Sequence, residues 1–135
     1  MKNITLIGGI YEIVMGIMMI FFISPLLKLL GLDNVSINIP MFHQTSGLLA
    51  IILGLILSFS SLDVEKYLLN IVLIIYLRFL IQIILVINIF FIPQIAWGLI
   101  MFGIIDFILA IISIYLIKVS NFNLNIIKII QDRGN

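Results

Sequence analysis

The chain has 135 residues, 64% of them hydrophobic and 10% charged, with seven Lys and Arg against six Asp and Glu. A mean hydropathy of +1.38 exceeds what a soluble domain of this length can bury, so the composition belongs in lipid. The net charge of +1 gives no basic face for nucleic acid, and the absence of cysteine removes disulfides, thiolate metal sites and thiol redox chemistry.

Four apolar stretches approach the ~20 residues that cross a hydrocarbon core. The first runs from about Ile4 to Phe22, the second from Met41 to Phe59, the third from Tyr67 to Phe91 and the fourth from Ile95 to Ile117. Ser24-Pro25 is expected to end the first. Gly31 to Pro40 forms the longest loop, Ser60 to Lys66 the next, and Pro93 turns the third span into the fourth. Short connections make neighbouring helices antiparallel. The expected fold is all-α: a four-transmembrane-helix up-down-up-down bundle over residues 1–118, followed by a short polar or interfacial C-terminal tail over 119–135. The first stretch is read as a retained helix, because it is longer than the ~7–15 residues of a signal h-region and carries Glu12 at its centre. Within the first loop, Leu26 to Leu32 around Lys28 is a candidate interfacial helix. In the tail, Ile126, Ile127, Ile129 and Ile130 among Lys128, Gln131, Asp132 and Arg133 form either an amphipathic turn or a frayed end.

The cations set an orientation. Lys2, Lys66, Lys118, Lys128 and Arg133 fall on one side and Lys28 on the other, so both termini are expected in the cytoplasm, with the chain in the plasma membrane.

Polar residues carry the remaining information. Glu12, Arg78 and Asp106 stand near the centres of three different apolar stretches. A charge at the bilayer centre costs roughly 2.5–3.5 kcal/mol, which favours a meeting of the three inside the bundle. Each belongs to a stripe at helical spacing: Thr5, Gly9, Glu12 and Gly16 on the first helix; Asn70, Arg78, Gln82 and Asn88 on the third; Gly103, Asp106, Ala110 and Ser113 on the fourth. The second helix carries His43, Gly47, Ala50, Gly54, Ser58 and Ser61. Small residues in such stripes are helix-packing positions, here Gly9, Gly16, Gly47, Gly54, Gly103 and Ala110. One guanidinium forks onto one carboxylate and keeps donors for another, which suits an Arg78 shared by Glu12 and Asp106. Two acids against one arginine leave a surplus carboxyl, a candidate proton carrier. His43 lies ~10 Å above the second helix's midpoint and would reach the trio only through water or through Gln44 or Gln82. As the single His it excludes bis-histidine haem ligation within one chain, and no metal motif is present.

The run Ile23-Ser24-Pro25-Leu26-Leu27-Lys28-Leu29-Leu30-Gly31-Leu32, the Gly47 to Gly54 helix, and an Arg78 helix followed by an Asp106 helix resemble the small four-helix DoxX-like membrane proteins. The resemblance implies the four-helix fold and, by analogy with some relatives, a link to thiosulfate:quinone oxidoreduction. A lone Glu12 in the first of four helices is also similar to small multidrug transporters. Arg78 would repel their cationic substrates, and the Lys and Arg bias argues for one fixed orientation.

Three function classes follow. The first is a binding or accessory membrane subunit whose polar core of Glu12, Arg78, Asp106, Gln82, His43 and Gln44 holds a small amphipathic or quinone-like molecule. The second is a proton-coupled transporter or channel. An enzyme using Glu12 or Asp106 as acid or base ranks last, since no nucleophile, metal set or oxyanion motif supports it. Beside them stands a structural reading in which the triad only fixes helix packing. The expected partner is the bilayer, and the Gly and Ser stripe would serve equally a homo-oligomer or a larger membrane complex.

Overall fold

The computed structural model describes residues 1–31, 40–93 and 96–131. Among them the chain forms six helices and no strand: α1 (Lys2–Phe21), α2 (Ile23–Leu29), α3 (Pro40–Ser60), α4 (Leu68–Phe91), α5 (Ala96–Val119) and α6 (Ile126–Gln131). The helices α1, α3, α4 and α5 are long and apolar enough to cross a bilayer, which marks the chain as a small multi-pass membrane protein.

Local chemistry explains the helix ends. Phe22 leaves helical geometry and α1 stops there, so Ser24-Pro25 does not end the first span. It lies instead in the first turn of α2, where a proline lacks only an N–H that has no intrahelical acceptor. Gly31, at φ 68, then donates to the Lys28 carbonyl and closes α2. At the end of α3, the Ser60 hydroxyl donates to the Ile56 carbonyl and the Ser61 hydroxyl to that of Ser58, both at 2.7 Å. Asn121, at φ 57, ends α5 in a left-handed turn. Its N–H reaches the Lys118 carbonyl while that of Phe122 reaches Ile117, and the Phe122 ring packs toward the core. The Asn125 side chain then caps α6 by accepting from the Ile127 N–H at 3.0 Å. This final helix does not fray from the bundle: Ile129 is buried in the core. Most of the long first loop, residues 32–39, and the last four tail residues lie outside the described residues.

Two antiparallel pairs make up the long helices. In the first, Gly9 of α1 meets Gly54 of α3 and Gly16 meets Gly47. A Cβ added at Gly9 would lie 2.7 Å from the Gly54 carbonyl oxygen, and one at Gly47 would lie 2.6 Å from that of Gly16. The backbones therefore touch, and only glycine permits it. The seven-residue spacing in both helices keeps the contacts on one seam. In the second pair, side chains join α4 to α5. Phe79 and Phe107 pack edge to face, 6.1 Å apart, beside contacts of Arg78 with Asp106 and Gln82 with Gly103.

The pairs join most fully at one end. Leu57, Leu68, Ile71, Val72, Ile75, Ala110, Ile117 and Ile129 form a common apolar core there, and the Asn70 amide reaches the Ser60 hydroxyl at 3.5 Å. On α4 every buried residue falls between Leu68 and Arg78; from Phe79 to Phe91 none is buried. Arg78 thus stands where the buried half of α4 gives way to its exposed half.

Candidate functional site

The charged centre is an extension of the core. On α4 the buried stripe Ile71, Ile74, Ile75 continues at helical spacing to Arg78, whose alkyl stem shares their face. On α5 the stripe Gly103, Asp106, Ala110, Ser113 and Ile117 is buried throughout, and on α1 Glu12 follows Thr5, Gly8 and Gly9. The three stripes meet, and Arg78 bridges both acids. Its Nη2 donates to Glu12 Oε1 at 3.0 Å, while its Nε lies 3.4 Å from Asp106 Oδ1. The side chains of Arg78, Asp106 and Glu12 are 4%, 8% and 14% exposed.

The two arms of this bridge are unequal. Glu12 receives a well-formed charge-assisted hydrogen bond. Asp106 receives attraction without alignment: Arg78 Nε and Asp106 Oδ1 are both buried, and neither has a hydrogen-bond partner. A donor and an acceptor left bare beside one another in a low-dielectric site are costly.

Gly8 forms the floor of the guanidinium. A Cβ there would stand 3.3 Å from Nη2 and 3.5 Å from Nη1, so the missing side chain is what lets Arg78 lie flat on α1. Tyr11, turned about 100° from Glu12 on the same helix, is half-buried beside it. Neither residue belongs to the polar stripes read from the sequence. The available signal was their position: Gly8 lies one turn before Glu12, and Tyr11 immediately precedes it.

Gln82, one turn beyond Arg78, donates through Nε2 to the Gly103 carbonyl at 3.1 Å. It adds a second rung to the α4–α5 seam, directly above the Arg78–Asp106 rung. His43 is directed elsewhere. Its Nδ1 lies 2.8 Å from the Met19 carbonyl oxygen and ties the start of α3 to the end of α1. Gln44 is exposed. Asn88 does not bond across the bundle but donates to the Ile84 carbonyl of its own helix at 2.8 Å. A polar side chain in lipid returns to the nearest carbonyl when no neighbouring helix offers one.

Around the centre lie apolar grooves. One of about 190 Å³ follows α4 and α5 away from Gln82 and Phe107, between Leu85, Val86, Leu99 and Ile104. Another, of about 320 Å³, runs along α4 beside Phe79, Gln82, Ile83 and Ile87. Among the described residues no group of three or more His, Asp and Glu is placed to hold a metal ion. No family model matches the chain, and neither does any curated protein or solved structure.

Proposed function

We propose that this chain is a plasma-membrane binding or accessory subunit of DoxX-like layout, its four long helices threaded up-down-up-down with both termini in the cytoplasm. Its charged centre binds the polar end of a small amphipathic molecule. The observation that carries this reading is the bare pair of Arg78 Nε and Asp106 Oδ1. An oxygen about 2.9 Å from each can accept from Nε and donate to Oδ1 if it is a hydroxyl. A carbonyl satisfies the donor alone. The head group therefore carries a hydroxyl, as in a quinol, with the oxidised quinone the weaker ligand. Glu12 holds the guanidinium in place, and Gly8 leaves room for it.

Binding tests this directly. Retention of a radiolabelled benzoquinol by protein-loaded nanodiscs, over empty ones, falls at least tenfold in Arg78→Leu and in the isosteric Asp106→Asn. Unchanged retention in variants that still insert as the wild type does would sink the proposal.

A specific observation also favours a structural clasp. The three side chains are nearly closed to solvent and tie α1, α4 and α5 together. On that reading the three side chains only fix helix packing, and Asp106→Asn changes stability with no ligand involved. A proton-coupled carrier is the third reading, resting on the surplus carboxyl; proton flux into liposomes that vanishes in Asp106→Asn would promote it.

A further inference from the structure

We infer that α6 is a latch on the end of the bundle that carries Leu68 and Ile117. Ile129 plugs the core there, and Lys128 holds the plug in place by its attraction to the anionic headgroups of the surrounding leaflet. No ligand at the charged centre is needed for this.

The tail is held to the bundle mainly by one residue. Past the left-handed turn at Asn121, Phe122 and Leu124 are half-buried while Asn123 and Asn125 are exposed, so this segment is a strap with its apolar side inward. An open cavity of about 820 Å³ lies between Asn123–Ile127 and Tyr76 of α4, and the strap stands off the helix there. Among the described residues after Val119, Ile129 alone is buried, and it joins Ile71, Val72, Ile75 and Ile117 in the core. A helix of six residues is well below the ~12–15 that hold together unaided, so α6 persists only while its surroundings fix it. The core fixes one face through Ile129. The opposite face carries Ile127 and Ile130, 66% and 54% exposed, with the exposed Lys128 at its edge. A short helix of this makeup lies in the headgroup boundary, its apolar side chains toward the acyl layer and its cation among the phosphates. Charge selects the lipid. Lys2, Lys66 and Lys118 stand at the same end, and with Lys128 they make four exposed lysines against Asp63 and Glu65. The latch also bears on the charged centre, since Ile71 and Ile75 lie on the stripe of α4 from which Arg78 extends.

The absence of cysteine permits a direct test. Full chains carrying either Ile129→Cys or, at an exposed position, Gln131→Cys are placed in nanodiscs of zwitterionic or anionic phospholipid and labelled with a small uncharged maleimide. The rate at position 129 is divided by that at position 131 in the same lipid, which cancels the effect of surface charge on the thiol. In zwitterionic lipid position 129 reacts at least tenfold more slowly than position 131. In anionic lipid the ratio falls about fivefold further, the effect of one lysine near such a surface. Lys128→Gln erases that further fall, and Lys128→Arg keeps it. Equal rates at the two positions would mean that the plug is not seated, and no reaction at position 129 in either lipid would make α6 a fixed part of the bundle; either result overturns the latch. A ratio indifferent to lipid charge, or a lipid effect that survives Lys128→Gln, overturns the hold by headgroups. Amide exchange of residues 126–131 in the unsubstituted chain reads the same opening without a cysteine: it is slower in anionic lipid, and equal exchange in the two lipids counts against the proposal.

Discussion

The α1–α3 pair and the α4–α5 pair perform the same task by opposite means. In the first, glycines bring backbone onto backbone, Gly9 on Gly54 and Gly16 on Gly47, with the Ile13, Ile20, Ile51 and Ser58 side chains flanking the seam. In the second, the helices stand apart and long side chains span the gap, through Arg78 to Asp106, Gln82 to Gly103 and Phe79 to Phe107. Without a hydrophobic force between helices in lipid, close packing and polar bridges are the two available sources of attraction. They have different consequences. A backbone seam leaves no room for a ligand, whereas a bridged seam leaves grooves and polar atoms that are not fully used. The candidate site falls in the second pair for that reason, with Glu12 as the contribution of the first.

The comparison breaks most completely at Gly54. Leucine there would drive its Cβ onto the Gly9 carbonyl oxygen, 2.5 Å away, and onto Ile13, and backbone atoms have nowhere to move. Gly54→Leu separates α1 from α3, and the expected result is loss of monodisperse protein on gel filtration in mild detergent. A well-folded variant would show that the glycine seam is not what holds the pair.

Arg78→Met comes next. It leaves Glu12 and Asp106 buried together without their shared cation, and breaking a buried ion pair by removing one partner costs about 3–5 kcal/mol. Replacing all three with apolar residues, as E12L/R78M/D106L, restores most of that stability, because an apolar replacement of a whole buried cluster is close to neutral. Reversible unfolding in mixed micelles measures both. A triple variant as unstable as the single one would mean that Arg78 acts through packing alone.

Much of this was legible in the sequence, and the exceptions share a cause. The long helices follow from apolar length, which lipid makes a strong signal: the expected third span, Tyr67 to Phe91, differs from the observed α4 by one residue. The meeting of Glu12, Arg78 and Asp106 follows from the price of solitary charge in hydrocarbon. Ser24-Pro25 misled because proline stops a helix and also starts one, and only the neighbouring Phe22 geometry decides between them. His43 and Asn88 misled because a polar side chain in a stripe seeks any carbonyl, and which one lies nearest is a matter of tertiary contact. The unequal bonding of the two acids was out of reach altogether, since it depends on tenths of an ångström in how α5 sits against α4.

His43 offers a milder test of the glycine pair. Its bond to the Met19 carbonyl adds a polar clasp at the end of the glycine seam. His43→Ala removes one hydrogen bond of ordinary strength, so a loss of about 1 kcal/mol is expected in the same unfolding assay. A larger loss would mean that the seam depends on its clasp.

The smallest effect is the most discriminating, because it places the same substitution in both pairs. Alanine stabilises a helix interior by about 1 kcal/mol relative to glycine. In Gly9→Ala the new methyl meets the Gly54 carbonyl oxygen at 2.7 Å and the Ser58 hydroxyl at 2.5 Å, so the collision with backbone outweighs the gain in propensity and the protein is destabilised. In Gly103→Ala the nearest atoms are the ends of two flexible side chains, Leu85 Cδ1 at 2.6 Å and Gln82 Oε1 at 2.8 Å. Both can turn aside into the groove, so the propensity gain offsets the crowding and stability changes by less than about 0.5 kcal/mol. The cost appears instead in the Gln82–Gly103 rung, which loosens as the carboxamide moves. Faster amide exchange around Gly103 at unchanged global stability is the expected sign. Equal destabilisation by the two alanines would mean that the α4–α5 seam is as tightly set as the α1–α3 seam.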